Sequence, residues 1–501
     1  MRIYTIIRSC NSITCRSLLL CFTLIFLHSL NRSAAQTPGK TGFRFYAEGS
    51  NPINQLLSNS VIDLVPDSTD VLMGTGKGLS IRHLATQSWS SFDESFGMGR
   101  GSISALDFKD GVIWTATAYT ENTSVGLLPA GGGVGFSTDG GFTWTWYDQP
   151  VDPDTVTSYS PTTTNVQNVT YDLLITTTDV WIASWGGGLR KFSFADSAWH
   201  VVTPDNMAFS SYDHLNHRAF AVVGDDSILW VGTAAGINKS TDGGQTWTNY
   251  NHSGSGISGN FITALGLQRW SGHEVLWAAT WPAQGSGEYY GISKTENGGL
   301  TWDVALTDSL LPLKGHNFAF DDSVVYVASN LGLHKSIDGG NTWELFPQIK
   351  DIQSGEILYD PEIYSALSYQ GTLWVGTGDG VASSSDLGNT WTIYRAFLPT
   401  GQAGQPDTYA YPNPFSPRIS PYIVRLQYDM PRSGTVTVKI YDFALDHVAT
   451  IADEKPRDAG DYYEVWNGER DDGTPVAAGV YYYRIERSGS GPVWGKIAVI
   501  P

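Results

Sequence analysis

Short runs in which apolar and polar residues alternate recur along most of the chain. Residues 103–108, 261–267 and 363–369 are runs of this kind, and each ends at a turn rich in glycine or aspartate. Alternation with a period of two predicts a half-buried strand, whereas a short apolar run between turn residues predicts a fully buried one. A buried run follows each alternating one, and two further runs complete a unit, so the pattern predicts units of four short strands.

Seven tryptophans mark the last strand of successive units and lie 41 to 55 residues apart; they are Trp89, Trp144, Trp199, Trp247, Trp302, Trp343 and Trp391. Four-stranded sheets repeated radially form a β-propeller. The predicted fold is therefore all-β, with a seven-bladed propeller over residues 43–398. Because residues 43–46 read like the outer strand at 247–250, we expect them to supply a spare fourth strand that covers the last blade. Residues 391–394 compete for that place.

The turn before five of these tryptophans has the pattern Ser/Thr-x-Asp-x-Gly-x-Thr-Trp, with asparagine in place of aspartate once. Its Asp–Trp pairs are Asp139 and Trp144, Asp242 and Trp247, Asn297 and Trp302, Asp338 and Trp343, and Asp386 and Trp391. Ser and Asp side chains bond neighbouring backbone, glycine adopts positive φ, and we expect the tryptophan to pack against the next blade. The motif resembles the Asp-box, or bacterial neuraminidase repeat, of sialidases, sortilin-type receptors, xyloglucan-cleaving glycosidases and a photosystem assembly factor. That resemblance implies a structural role for the motif.

The blade pattern stops near residue 398, and residues 399–410 are typical of a linker. Short alternating runs then predict a small β-sandwich over residues 411–501. The segments Tyr411-Pro-Asn-Pro-Phe415 and Trp466-Asn-Gly-Glu-Arg-Asp-Asp-Gly473 resemble the Ig-like domain of the flagellar hook-capping family. The same pattern serves as the C-terminal sorting domain of type IX secretion cargo. The resemblance implies a partner, the outer-membrane secretion machinery, although Pro501 replaces the usual basic or polar final residue; a purely structural Ig-like cap is the alternative.

The N-terminal segment is typical of a secretory signal peptide, which we place at residues 1–35. Arg2, Arg8 and Arg16 precede an apolar run at 18–27, and Ser33-Ala34-Ala35 provides small residues for cleavage. The run is shorter than the roughly 20 residues of a membrane anchor. All three cysteines lie in this segment, so we expect no disulfide and no cysteine-ligated metal in the exported chain. The expected location is the cell surface or the extracellular space.

Composition supports a packed β-protein and excludes some partners. Charged residues make up only 16% of the 501, and the chain has 55 glycines, 18 tryptophans and 25 tyrosines. Disordered chains and coiled coils need more charge. The net charge of −19 makes nucleic acid and anionic membranes poor partners, because both need clustered Lys and Arg.

The long insertions all fall on one predicted face of the propeller, opposite the Asp-box turns. They are residues 119–133, 148–169, 203–217, 281–290 and 346–361. Function concentrates on loops held by a rigid scaffold, so this insertion-rich face is the candidate ligand-binding surface. Its candidate contact residues are Tyr119, Trp185, Tyr212, His214, Trp281, Glu288, Tyr289 and Tyr290, and near them lie Asp152, Asp154, Asp213, His217 and Arg218. Aromatic rings beside carboxylates suit sugars; packing of the loops onto the propeller is the competing interpretation.

These residues leave three functions open. The first is a non-catalytic propeller that binds a glycan or protein ligand; the second is a glycoside hydrolase that uses carboxylates on the same face; the third is a structural envelope component. A sialidase lacks support, since no Arg-Ile-Pro motif occurs, and the xyloglucanase resemblance would require two propellers. We expect no cofactor and no metal: His214 and His217 have no third ligand, and Asp225-Asp226 and Asp321-Asp322 are typical of hairpin turns.

Overall fold

The computed structural model describes residues 42–44, 52–346, 348–401 and 404–501, and for residues 42–44 it describes only the backbone. The predicted signal peptide and the three cysteines lie outside the described residues. The described chain is nearly all β-strand. A single turn of α-helix, His252–Ser255, and two 3-10 turns, Glu94–Phe96 and Leu215–His217, interrupt it. No helix within the described ranges is long and apolar enough to cross a bilayer.

Seven antiparallel sheets follow one another along the chain, each made of four consecutive strands. Their strands are β2 Val61–Pro66, β3 Asp70–Thr75, β4 Gly78–His83 and β5 Trp89–Phe92; β6 Ser102–Lys109, β7 Val112–Thr123, β8 Gly126–Ser137 and β9 Trp144–Tyr147; β10 Thr170–Ile175, β11 Asp179–Ser184, β12 Gly188–Ser193 and β13 Ala198–Val202; β14 Ala219–Gly224, β15 Leu229–Thr233, β16 Gly236–Ser240 and β17 Thr248–Tyr250; β18 Phe261–Trp270, β19 His273–Trp281, β20 Gly291–Thr295 and β21 Asp303–Leu306; β22 Gly315–Asp321, β23 Val324–Ser329, β24 Gly332–Ser336 and β25 Glu344–Leu345; and β26 Ile363–Tyr369, β27 Thr372–Thr377, β28 Gly380–Ser384 and β29 Thr392–Tyr394.

The first strand of each sheet contacts the first strand of the next, and β26 contacts β2, so the seven inner strands form a closed ring. This is the predicted all-β, seven-bladed propeller. Every inner strand has a register shift near its start, where one extra residue faces its neighbour. Such bulges bend and twist a strand locally.

The expected place of the N-terminal strand is wrong. Strand β1, Gly42–Arg44, pairs antiparallel with β9 and extends the second blade. The last blade has its own fourth strand, β29, which pairs with β28. Since β29 fills the outer position there, no spare strand is needed, and the ring closes by packing between β26 and β2.

The Asp-box turns have the expected hydrogen bonds, but their tryptophans pack in the opposite direction from the one predicted. In one turn, Asp242 accepts bonds from the Ser240 hydroxyl at 2.8 Å and the Thr246 N–H at 2.9 Å. Trp247 then meets Trp181 of the preceding blade edge-on, with ring centroids 6.4 Å apart. Trp302 on Trp230 and Trp343 on Trp277 repeat this geometry. Because Gly244 lies directly against Trp181, the turn and its tryptophan close over the blade before it.

The C-terminal unit is a sandwich of two sheets around its own apolar core. Its strands are β30 Thr408–Tyr411, β31 Val424–Met430, β32 Gly434–Tyr441, β33 His447–Arg457, β34 Gly460–Trp466, β35 Gly479–Arg487 and β36 Val493–Val499. One sheet has the order β30-β31-β34 and the other β33-β32-β35-β36. The predicted linker at 399–410 ends inside β30, and Thr400 is already bonded to Asp461 at 3.0 Å. The predicted linker is therefore bonded to the C-terminal unit.

Candidate functional site

The insertion-rich face lies at the end of the propeller where the inner strands begin. The loops between blades enter there, and so do the turns between second and third strands. The C-terminal unit also docks on this face, at the last blade: Arg425 of β31 binds Asp379, in the turn between β27 and β28, with N–O distances of 2.5 and 2.7 Å. One part of the face therefore consists of open loops, and the part at the last blade is covered by the C-terminal unit.

Several predicted contact residues hold their own loops in place. The Tyr119 hydroxyl accepts a bond from the Asn165 side chain at 2.6 Å, and its ring lies 4.1 Å from the Arg100 guanidinium. Trp185 stacks with Arg218 at 5.5 Å. Tyr212 differs, because 86% of it is exposed. The packing interpretation therefore fits Tyr119, while Tyr212 presents its ring to solvent.

The two histidines of this face belong to a packed cluster. His217 is buried, stacks on Phe209 and bonds Asp205 through Nε2 at 2.8 Å. Its Nδ1 accepts a hydrogen bond from the Ser210 N–H, so both ring nitrogens of His217 have partners within the protein. The His214 and His217 rings meet edge to face, with their centroids 4.9 Å apart. No group of three or more metal-ligating side chains occurs within the part of the chain that the structure describes.

Glu288 organises the loop between β19 and β20. One carboxylate oxygen accepts bonds from the Asn260 side chain at 2.6 Å and the Gly285 N–H at 2.9 Å, and the other accepts the Ala283 N–H. A carboxylate that closes its own loop in this way has few lone pairs left for a substrate. Tyr289, which follows it, is 45% exposed.

Asp152 is equally committed. It is buried and forms a bidentate pair with Arg190, with N–O distances of 3.0 and 2.9 Å. Burial favours the neutral acid, but the hydrogen bonds and charge of Arg190, with the Thr162 N–H and the Tyr159 hydroxyl, hold the pKa of Asp152 below its ordinary value. Asp152 is therefore a fixed anion inside the fold. Asp154, two residues on, is exposed.

A row of aromatic rings crosses the same face; sequence reasoning named Trp281 and Tyr290 of this row and missed the other three. We call it the aromatic arc; its members are Tyr171, Phe220, Phe261, Trp281 and Tyr290. Neighbouring rings are 5.7, 4.4, 6.0 and 5.9 Å apart in that order. The arc spans three blades where their inner strands begin. Lys314 lies over the Trp281 ring at 5.4 Å.

Bulges of the inner strands place two members of this arc. Tyr171 and Phe220 are the extra residues at the register shifts of β10 and β14, and Tyr171 is 43% exposed. A bulge re-aims a side chain away from the regular alternation. The equivalent residues of β22 and β26 are His316 and Tyr364, whose rings lie 5.9 Å apart. An aromatic residue directly before an alternating run was the only available sequence signal, and it does not reveal a bulge.

Deeper in the ring, three aspartates tie neighbouring blades together. Asp63 accepts the Leu106 N–H, Asp107 accepts the Ile175 N–H and Asp172 accepts the Val222 N–H, at 2.9, 2.9 and 2.8 Å. Burial raises the pKa of Asp63 to about 7 and that of Asp107 to about 6. Burial, with the nearby charges of Asp63 and Asp107, also raises the pKa of Asp172 well above its ordinary value.

The paired aspartates between first and second strands lie in turns. Asp225 accepts bonds from the backbone and hydroxyl of Ser227 at 2.8 and 2.6 Å and pairs with Arg269 at 2.7 Å. Asp322 has a φ of 49° at the equivalent turn. These contacts are those of hairpin ends.

Comparison with known proteins supports the fold. A xyloglucanase of glycoside hydrolase family GH74 from Xanthomonas campestris is 12% identical, with a TM-score of 0.50 over 92% of this chain and 75% of that one. An ancestral GH74 enzyme is 15% identical, with a TM-score of 0.50 over 94% of this chain and 64% of that one. PorZ, a surface component of the type IX secretion system of Porphyromonas gingivalis, is 14% identical, with a TM-score of 0.34 over 93% and 75%. No family profile matches the chain, and no curated protein is significantly similar. At these identities the similarity establishes the propeller fold alone.

Proposed function

We propose that this protein is an exported β-propeller, at the cell surface or released, that binds a glycan or protein ligand on its insertion-rich face without catalysing a reaction. The observation that carries the proposal is the aromatic arc, a row of five rings at the place where inner strands and loops meet. Each ring of the row contacts the next. Aromatic side chains with polar edges supply much of the binding energy in ligand and protein interfaces.

The carboxylates of the face support recognition over hydrolysis. A glycoside hydrolase needs two carboxyl groups that flank one bond, with at least one free to give a proton. Asp152 is held by Arg190, and Glu288 is held by its loop. Two of the carboxylates named by sequence reasoning therefore have structural partners, while Asp154 is exposed.

The experiment is a binding assay on glycan arrays and extracellular protein libraries, with substitutions in the arc. Replacing Trp281 by Ala removes the ring that joins Phe261 to Tyr290, so we expect the Kd to rise about tenfold or more. Phe443→Ala, an exposed aromatic residue of the C-terminal unit outside the arc, is the matched control. Equal affinity of the chain and the Trp281→Ala variant would refute the arc as the ligand site.

We further propose that residues 411–501 direct export across the outer membrane, as the sorting-domain resemblance implies. In the producing bacterium, a chain that ends before residue 399 should stay in the periplasm. Its far-ultraviolet circular dichroism is compared with that of the full chain, so that a misfolded product is recognised. A folded truncated chain at the surface or in the medium would exclude the sorting role.

A further inference from the structure

A large cavity lies between the propeller and the C-terminal unit, away from the aromatic arc. Its volume is about 990 Å³, within the roughly 300–1,000 Å³ of small-molecule sites. One wall is the outer side of the sheet β30-β31-β34. The other is made by the last blade and the segment before β2, and it includes Asn59, Tyr359 and residues 395–398.

The sheet wall presents two rows of side chains in register. Tyr409, Gln427 and Tyr463 are cross-strand partners, and the next row is Tyr411, Arg425 and Val465. All six line the cavity. Alternate residues of a strand point to the same side, so the three tyrosines and the glutamine share one surface.

The arginines along the cavity are paired within the protein, and the remaining charged lining residues are Lys77, Lys455, Asp351 and Asp461. Arg395 pairs with Glu356, and Arg457 pairs with Glu464 at 2.6 Å. Arg425 pairs with Asp379 and lies between two rings, 5.4 Å from Tyr359 and 5.2 Å from Tyr463. A cavity whose arginines are all neutralised favours an uncharged ligand over an anion.

Gln427 points to a polar occupant. Only 8% of this residue is exposed, and within the described residues its side-chain amide has no hydrogen-bond partner. The amide atoms are not among the fully buried unpartnered atoms of the described residues, and Gln427 lines the cavity, so the amide is accessible to a ligand there. Its amide offers both a donor and an acceptor, which match neighbouring hydroxyls of a sugar.

We propose that this interdomain cavity binds a short neutral oligosaccharide, with Gln427 as its hydrogen-bonding anchor and Tyr411 as a stacking surface. Tyr411 is 44% exposed, and its ring lines the cavity beside Arg425. The site is separate from the ligand site proposed on the aromatic arc. It exists only when both units are docked, so saccharide binding would tie the C-terminal unit to the propeller.

Isothermal titration calorimetry on the full chain tests the site, with neutral oligosaccharides of β-linked glucose, xylose and mannose as probes. Gln427→Met removes the amide at similar volume. We expect its Kd to rise about tenfold, the equivalent of one lost hydrogen bond, while the melting temperature stays equal because the amide makes no hydrogen bond within the protein. Tyr411→Ala should weaken binding similarly, and Phe443→Ala, an exposed aromatic residue of the C-terminal unit that does not line the cavity, should leave it unchanged.

The other outcomes overturn the proposal in distinguishable ways. An unchanged Kd in Gln427→Met, or no binding of any neutral probe, would remove the cavity as a saccharide site. Binding of oligogalacturonate or of a peptide alone would contradict the neutral ligand class. Binding lost in Trp281→Ala and kept in Gln427→Met would move the saccharide to the aromatic arc, which refutes this site and supports the proposed function.

Discussion

Single residues decide how each blade holds its neighbour. Trp181, Trp230 and Trp277 occupy the same place in the second strands of three successive blades. Each is buried, lies under a lysine of the third strand at 5.3, 4.8 or 5.5 Å, and meets the Asp-box tryptophan of the following blade. The tryptophan–lysine stack supplies packing inside a blade, and the Asp-box tryptophan supplies packing between blades.

Asp63 makes the stability of the ring depend on pH. Its pKa in the folded chain, about 7, exceeds the unfolded value of 3.8, so the folded state binds the proton more tightly. The free energy of unfolding should therefore fall as pH rises from about 4 to about 7 and change little above that, by at most about 4 kcal/mol for this group.

Urea denaturation of the chain and of Asp63→Asn at several pH values measures this effect. Asparagine keeps an acceptor for the Leu106 N–H and cannot ionise. The free energy of unfolding of Asp63→Asn should rise relative to that of the parent chain as the pH rises from about 4 to about 7. A constant difference across that range would contradict the raised pKa.

The elements divide into those that the sequence predicts well and those that it does not. The alternating runs and the Asp-box turns predict four strands per blade, because period-two burial and turn chemistry are local properties. The pairing of β1 with β9 joins distant parts of the chain, and the sequence pattern of residues 43–46 is compatible with a position beside any outer strand. Tyr171, Phe220 and Phe261 of the arc were missed for a similar reason: the first two lie at bulges, and Phe220 and Phe261 meet only across blades.

The glycines of one Asp-box turn allow a matched test of blade packing. Gly243 and Gly244 both have positive φ, +70° and +83°. A Cβ on Gly243 would meet nothing within 4 Å, whereas one on Gly244 would lie 2.5 Å from the Trp181 ring.

Alanine at either glycine strains the backbone by about 1 kcal/mol. Gly244→Ala should lose a further 1 to 3 kcal/mol, roughly, because Trp181 must move in a packed core. Thermal or chemical denaturation compares the two variants. Equal stabilities would show that the turn does not close over the preceding blade.

At the scale of the whole molecule, the C-terminal unit is fixed on the propeller by a buried ion pair. The sequence predicts two units from their different patterns, but it does not predict their docking. Arg425 and Asp379 are 46 residues apart in the chain, and neither lies in a recognised motif. The interdomain cavity depends on that docking and was equally hidden.

Arg425→Met should destabilise the full chain by about 3 kcal/mol, since it leaves the buried Asp379 with the more distant Arg395 at 3.3 Å as its ion-pair partner and with the Tyr359 N–H. The double variant Arg425→Met, Asp379→Asn removes the stranded charge and should recover most of the loss. Chemical denaturation of the three proteins checks this, and limited proteolysis between the units should be faster in the single variant. A single variant as stable as the parent would contradict the docking.

The measurement that bears most directly on the central claim is the release of reducing ends. The full chain is incubated with xyloglucan, xylan, mannan and β-glucan, and each sample is assayed both for retained polysaccharide and for new reducing ends. Recognition without catalysis predicts no new reducing ends in any sample, including those in which polysaccharide is retained. Release that disappears in Asp154→Asn or Glu288→Gln would contradict the account and make the protein a hydrolase.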